Sequence, residues 1–273
     1  MYFSVLIAHY QNWDYFLDCY QSLKNQTYQN FEIVLVDDFS TDGSYENLVE
    51  FASQDSRIKL FRNSENLGVG YTKNKCIEFA KGEVLGFVDP DDALEKNALE
   101  LMIAAHKEHK NASSVYSVMM MCDENLNPIK RFNRAKKVRN GDELFVNITT
   151  SVAHFFTFKQ IAVNKISNID VRLRSAVDQD LYLKLYEVGN FVFLDVPLYL
   201  YRLHEKGVSQ DKNKSKAKTD FKRVIRETLN RRGINQLQGK SLNNLTDDEI
   251  YDFLSSRENN FLNKLKNKFI NFF

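Results

Sequence analysis

The sequence predicts an α/β protein built on a mostly parallel central sheet flanked by helices, with a helical C-terminal extension. Three observations predict it. Apolar strand-like runs and amphipathic helical spacings alternate four times in about the first 110 residues, as in right-handed βαβ crossovers. Two of those runs stop abruptly in acid, at Asp37-Asp38 and at Asp89-Pro90-Asp91-Asp92, and ligands in open α/β sheets bind beyond the carboxyl ends of strands. Apolar residues make up 43% of the 273, with 21 Phe and 13 Tyr, so a sizeable core is available.

The elements follow in order. Phe3 to Ala8 is a continuous apolar run, a buried strand. After a loop at Tyr10-Gln11-Asn12, apolar residues at 13, 16, 17, 20 and 23 give a helix. Phe31 to Val36 is a second strand, and Ser44 to Ala52 continues as a helix after polar turn chemistry. Ile58 to Phe61 is a short third strand. Thr72 to Ala80 reads as a helix stopped by Gly82, as a C-terminal cap would stop it. Glu83 to Val88 is the fourth strand, and Leu94 to His109 a helix.

The acids after the fourth strand carry the chemistry. Two carboxylates spaced i, i+2 at a strand tip can lean toward one hard divalent cation, which shares the rest of its shell with water and substrate phosphates. The plainer reading of Asp-Pro-Asp-Asp is a turn and helix cap. The acidic pair at Asp37-Asp38 favours the first reading, because two parallel strands would bring both groups to one sheet edge.

The second half is less regular. Ser114 to Cys122 is strand-like, Asn127-Pro128 suggests a hairpin, and Arg131 to Arg139 is a basic loop, solvated or acting as a phosphate-binding or acceptor-binding flap. Val152 to Phe158 is apolar and aromatic around His154, a structural or pocket-lining histidine. Asp178-Gln179-Asp180 opens a helix over Leu181 to Val188 that Gly189 caps, and Phe191 to Leu203 contains two strand-like runs. From about Asp211 the chain turns basic. Asn259 to Phe273 would place Phe261, Leu262, Leu265, Phe269, Phe272 and Phe273 on one helical face, either for peripheral contact with an anionic membrane or for packing on protein.

Composition narrows the classes. Net charge is +1, so no overall field favours nucleic acid. Three scattered cysteines form neither a disulfide framework nor a zinc pattern and suit a reducing cytoplasm. The first apolar run is too short for a signal peptide, and no stretch reaches the roughly 18 apolar residues of a membrane span. The expected location is cytoplasmic, with peripheral contact at the inner face of the cytoplasmic membrane through 259–273 as an option.

Six stretches in order resemble glycosyltransferase family 2, with its GT-A, Rossmann-like fold: Phe3 to Asn12, Ser22 to Ser44, Asn66 to Asn74, Phe87 to Asp92, Asp178 to Lys184 and Pro197 to His204. The resemblance covers about 3–210. It implies a GT-A domain over 1–210, with a nucleotide-binding half of about 1–110 and an acceptor half of about 111–210, followed by a basic helical extension over 211–273. It also implies inverting transfer of a sugar from a nucleotide diphosphate, commonly a UDP-sugar, to a saccharide or lipid-linked acceptor. That activity would serve polysaccharide or glycolipid synthesis in a bacterial-type cell envelope.

Residue by residue, the resemblance assigns Asp38 to the base and Tyr10 to packing near it. Ala8 stands where proline is usual, and Gln11 where asparagine is frequent. Asp89 and Asp91 match the DxD acids. Asp89 would face the ribose or a metal-bound water, Asp91 would bind Mn²⁺ or Mg²⁺, and Asp92 would order the loop or cap the next helix. Lys73 replaces an arginine on the donor side, keeping charge but losing bidentate geometry. Asp178 matches the catalytic base, with Val177 in place of the usual glutamate, and Asp180 matches a residue that supports the helix start. His204 matches a histidine that reaches metal or diphosphate, and Arg202 a donor-side residue.

Three alternatives remain at this point: a nucleotidyltransferase, a non-catalytic nucleotide-sugar-binding module of the same fold, and a membrane adaptor acting through its tail. A nucleotidyltransferase would want a glycine-rich, lysine-bearing loop after the first strand, which Ala8 to Asn12 lacks.

Overall fold

The structure is a computed structural model that describes residues 1–204 and 214–260. The first half alternates as the sequence predicts: β1 (Phe3–His9), α1 (Trp13–Lys24), β2 (Phe31–Asp37), α2 (Ser44–Ala52), β3 (Ile58–Arg62), α3 (Val69–Phe79) and β4 (Val84–Phe87). β1 lies between β2 and β4 and is parallel to both, and β3 extends the parallel group beyond β2. The two acidic strand ends therefore share one edge of the sheet.

Alternation along β1 sends Phe3, Val5 and Ile7 into a core with Phe16 and Leu23 of α1 and Leu48 of α2. Leu6 points to the opposite core, with Cys76 of α3. Burying each such side chain is worth about 1.5–3 kcal/mol, enough to fix the strand's register against a one-residue slip.

The second half joins this sheet in mixed orientation. After β5 (Ala93–Leu94) and α4 (Ala98–Glu108) come β6 (Ala112–Cys122), β7 (Pro128–Arg131), β8 (Phe156–Lys159), α5 (Gln160–Val163), α6 (Val177–Val188) and β9 (Asn190–Arg202). Among the described residues one nine-stranded sheet runs β3-β2-β1-β4-β8-β6-β9-β5, with β7 on β6. β8 is antiparallel to β4 and β6, while β6 and β9 are parallel.

Several sequence expectations are corrected in detail. Gly82 does not cap α3, which ends at Phe79 with Ala80 already extended. A Cβ on Gly82 would lie 2.5 Å from the Ser4 nitrogen, so glycine is required by close approach to β1. The helix expected from Leu94 starts at Ala98, behind Asn97, and β5 takes Ala93-Leu94. Asp92 therefore caps no helix. The helix expected from Leu181 already begins at Val177. The two runs expected in 191–203 are one strand, β9, whose register slips opposite Val118 and Pro197.

The C-terminal extension holds α7 (Lys214–Arg231), the small hairpin β10 (Gln236–Leu237) and β11 (Lys240–Ser241), a 3-10 turn at Leu242–Asn244, and α8 (Asp247–Asn259). Thr246 and Glu249 form a reciprocal capping box at the start of α8. Val224, Ile225 and Leu229 of α7 and Ile250 and Leu254 of α8 are buried in the same core as α6. The aromatic stretch from 261 onward lies outside the described residues. Among the described residues, no helix is long and apolar enough to cross a membrane.

Candidate active site

A cleft of about 710 Å³ lies at the carboxyl ends of β1, β2 and β4, within the size range of small-ligand sites. Ala8, Tyr10, Asp38, Lys73 and Asp89 line it from the first half. Asp91, Asp178, Arg202 and His204 complete the wall, so the nine residues assigned to donor, metal or base meet in one place, while Asp37 and Asp180 lie behind it.

The end of β2 is tightly built. Asp37 is fully buried and accepts from the Ser40 amide at 2.9 Å and the Ser40 hydroxyl at 2.5 Å, with His9 Nδ1 at 3.1 Å. Burial alone would raise its pKa, but the bonds from His9 and Ser40 hold it below the usual carboxylate range. Asp38 pins the following loop. Its Oδ1 accepts from Asn63 Nδ2 (2.8 Å) and the Leu67 amide (2.9 Å), and its Oδ2 from the Gly68 amide (2.8 Å). A carboxylate oxygen can accept two bonds, so Oδ2 keeps capacity for a ligand donor. Tyr10, at the end of β1, is 45% exposed in the cleft, beside Gln11 with its positive φ of 48°.

The loop after β4 is held from behind. The Asp89 amide donates to the Tyr199 hydroxyl at 3.2 Å, and Tyr199 also bonds Asp92. Asp92 is buried and accepts the Arg202 amide at 2.8 Å, which is how it orders the loop. Burial first, then the charges of Asp91 and Asp89, push the Asp92 carboxyl well above its ordinary value. Asp91 is raised by the same two causes, burial and the Asp89 charge, against the opposing bond from His204. His204 Nε2 and Asp91 Oδ2 lie 2.8 Å apart, and the imidazole packs on Tyr15 with ring centroids at 4.6 Å. The Arg202 guanidinium engages protein groups through all three nitrogens: the Asp91 carbonyl at 2.6 Å, the Glu124 carbonyl, and Asp18 at 2.9 Å.

Across the cleft, Asp178 sits in the first turn of α6. Lys73 of α3 bridges the walls, its Nζ 2.7 Å from Asp178 Oδ1 and 3.3 Å from Asp89 Oδ1. Burial would raise the Asp178 carboxyl, yet the Lys73 ammonium and then His154 draw it below the carboxylate range. Burial likewise opposes the Lys73 charge, but Asp178 and Asp89 raise its pKa above the usual lysine value. Both groups therefore stay charged. Asp178 Oδ2 faces His154 Nε2 at 3.9 Å, and His154 stacks on Tyr199 at 4.9 Å. Asp180 is buried and structural, accepting the Asp170 amide at 2.9 Å and Lys184 Nζ at 2.7 Å.

One grouping of three and one pair here present ligand atoms that a divalent ion could use. Asp89, His154 and Asp178 present ligand atoms within 4.8 Å of one another. The Lys73 ammonium already sits against both of those carboxylates, so that set has its counter-charge. Asp91 and His204 form a second pair of donors, 2.8 Å apart, on the neighbouring side of the Asp89 loop, and an imidazole nitrogen suits Mn²⁺ better than Mg²⁺.

Sequence reasoning missed two contributors. Arg174 is exposed on the cleft wall with its guanidinium against Gly68, and among the described residues no carboxylate pairs with it. Gly68 has φ +89°, and a Cβ there would lie 2.3 Å from Arg174 Nη1. Ala217 of α7 also reaches the wall. Neither belongs to a readable motif: Arg174 comes from the loop before α6 and Ala217 from the first turn of α7, both far in sequence from the strand ends.

The sequence matches the family described as Glycosyl transferase family 2 over residues 4–167. A chondroitin synthase of Escherichia coli is 29% identical over 256 residues, covering 91% of this chain and 35% of that protein. A hyaluronan synthase of Pasteurella multocida is 29% identical over 261 residues, covering 93% and 26%. The chain thus spans about a quarter to a third of the length of these curated relatives. Among solved structures, residues 1–349 of S. aureus TarS in complex with UDP-GlcNAc superpose with a TM-score of 0.69 at 22% identity, covering 96% of this chain and 73% of that one. The mannosyltransferase PcManGT of Pyrobaculum calidifontis, in complex with GDP-Man and Mn²⁺, gives 0.62 at 14% identity, covering 93% and 73%. The fold is GT-A, and with the family match spanning more than half its length, the chain belongs to glycosyltransferase family 2.

Proposed function

We propose that this chain is a metal-dependent inverting glycosyltransferase that moves a sugar, of hexosyl or N-acetylhexosaminyl type, from a UDP-sugar to a hydroxyl on a saccharide or lipid-linked saccharide. The product would be a bacterial-type polysaccharide or glycolipid. The observation that carries this reading is one carboxylate, Asp178, held ionised across a cleft from the Asp89–Asp91 loop. The relatives named as chondroitin and hyaluronan synthases, the neighbour that holds UDP-GlcNAc and the neighbour that holds Mn²⁺ support it.

Asp38 takes the base and Tyr10 packs near it, with Ala8 forming the adjoining wall. Asp91, His204 and Asp89 would hold Mn²⁺ or Mg²⁺, which neutralises charge on the diphosphate leaving group. Arg202 fixes the Asp91 backbone from behind. Lys73 keeps Asp178 deprotonated and in place. As the acceptor oxygen forms its bond to the anomeric carbon, Asp178 takes the hydroxyl proton and the sugar–phosphate bond breaks on the opposite face. A positioned base of this kind contributes about 10²–10⁴-fold. If the acceptor is lipid-linked, the enzyme works at the inner face of the cytoplasmic membrane.

A donor screen tests this. Nucleotide sugars are offered with Mn²⁺, and thermal stabilisation and hydrolysis are measured. At least one UDP-sugar should stabilise the protein and be turned over. Asp178→Asn should keep the stabilisation and lose about 10²–10⁴-fold in turnover. Stabilisation by no nucleotide sugar, or near-normal turnover by the variant, defeats the proposal.

A further inference from the structure

The segment from 142 to 149 contains no helix or strand, yet it leads into His154 and packs beside α6. Asn147 at its centre is fully buried with a positive φ of 59°. Its side chain joins the two chain segments that carry His154 and Asp178. Nδ2 donates to Gln179 Oε1 at 2.8 Å and to the Val152 carbonyl at 3.0 Å, and Oδ1 accepts the Val152 amide at 2.9 Å. Gln179 adjoins Asp178, and Val152 precedes His154 by two residues.

What holds Asn147 comes from the far end of the chain. Glu258, in the last turn of α8, accepts from the Val146 amide at 3.2 Å, the Thr149 amide at 3.1 Å and the Thr149 hydroxyl at 3.2 Å. Those two residues flank Asn147 on either side. Arg257 donates to both oxygens of Asp142, at 2.8 and 2.9 Å. Arg232, just beyond α7, donates to the carbonyls of Glu143 at 2.8 Å and Phe145 at 2.6 Å. A backbone stretch with no ladder of its own thus finds many of its partners in the C-terminal extension, the rest coming from Tyr186 and from Asp142 within the stretch.

We infer that the C-terminal helix pair is an intramolecular clamp on the acceptor side of the site. Glu258 is a positioning residue that, through the 146–149 backbone and Asn147, sets how His154 and Asp178 face each other. The inference rests on the reading of Asp178 as the proton acceptor. It adds that the geometry of Asp178 depends on a carboxylate 80 residues further along the chain, outside the family match.

The test uses the full chain with Glu258→Ala and Glu258→Gln. Three quantities are read: turnover of whichever UDP-sugar the unmodified protein hydrolyses, the Kd of UDP with Mn²⁺, and the His154 ring resonances by NMR. In Glu258→Ala, kcat should fall at least about tenfold with KM and UDP Kd within about twofold, and the His154 resonances should shift. Glu258→Gln, which keeps one of the two accepting oxygens in use, should recover part of the loss. An unchanged kcat with unshifted His154 resonances overturns the clamp, as does a fall in kcat matched by equal weakening of UDP binding.

Should Glu258→Ala fail to fold, Thr149→Val removes the hydroxyl's contacts to Glu258 and Ser151 and should lower kcat about threefold at constant UDP Kd, while Ser151→Ala, which removes only the second, should leave kcat unchanged. No change in Thr149→Val also overturns the clamp, as does an equal fall in Ser151→Ala. If the unmodified protein turns over no UDP-sugar, the glycosyltransfer reading fails instead. The His154 resonances still decide the clamp: a shift in Glu258→Ala upholds it and no shift overturns it.

Discussion

The two walls of the cleft are held in place by different means. On the wall proposed to hold the nucleotide, Asp37 and Asp38 draw all their bonded partners from within 30 residues, at or just beyond the ends of adjacent parallel strands. On the wall proposed to face the acceptor, Asp178 pairs with a lysine 105 residues away, and Glu258 reaches back 109 residues to Thr149. The loop before α6 is tied by Ser175 to Asp220, 45 residues on. One wall is a by-product of βαβ winding, while the other exists only once the whole chain has closed. Contacts of long sequence separation form at a higher entropic cost, so the acceptor wall should also be the later one to order in folding.

That contrast can be broken or sharpened. The largest effect should come from Asp38→Ala, which leaves the Asn63 side chain and the Leu67 and Gly68 amides without their acceptor. A loss of about 3 kcal/mol in urea unfolding and a weaker UDP affinity are expected. A variant of full stability would show that the nucleotide wall is less pre-formed than its bonds imply.

The next is a pH effect at the seam between the walls. His106 of α4 is buried with its Nε2 2.9 Å from Thr157 Oγ1 on β8. Burial, with Lys159 adding to it, lowers its pKa from 6.5 to about 3. The folded protein keeps this ring neutral, whereas the unfolded chain takes up a proton below about pH 6.5. Stability should therefore fall as pH drops from 6.5 toward 3, by about 2 kcal/mol between pH 7 and 5. His106→Gln keeps a partner for Thr157 and should remove that part of the slope in denaturant titrations at the two pH values. An unaltered slope would assign the effect elsewhere.

The smallest effect is at Arg174, the acceptor-side residue that reaches across to Gly68. Arg174→Ala should weaken UDP binding about fivefold, roughly 1 kcal/mol, with the melting temperature unmoved. An unchanged Kd by calorimetry would remove Arg174 from the donor site and keep the two walls separate.

The same contrast explains what was legible in the sequence. β1, β2 and α2 are read off almost to the residue, because continuous apolar runs and local turn chemistry specify them. The acids at 37–38 and 89–92 stand out for the same reason. Gly82 is misread because its requirement comes from Ser4, 78 residues earlier in the chain. β9 looks like two runs because Asp195 and Pro197 interrupt the apolar pattern, and the strand absorbs them as a register slip against β6. Asn147 and Glu258 carry no local signal at all. An asparagine in a loop and a glutamate near a helix end acquire their roles only from each other's neighbourhood.

The order of strands has a consequence for the protein in a crowded solution. A long sheet is a template for recruiting further strands wherever its rim is flat and bare. Here the strand at one end, β3, displays Lys59 and Arg62 outward, and the one at the other end, β5, is two residues long. The remaining edge, the exposed four-residue β7 on β6, starts at Pro128 and carries Lys130 and Arg131. Among the described residues, then, no edge offers a second chain much to zip onto, and the widest layer of the molecule is guarded against fibre-like self-association by basic side chains and short strands.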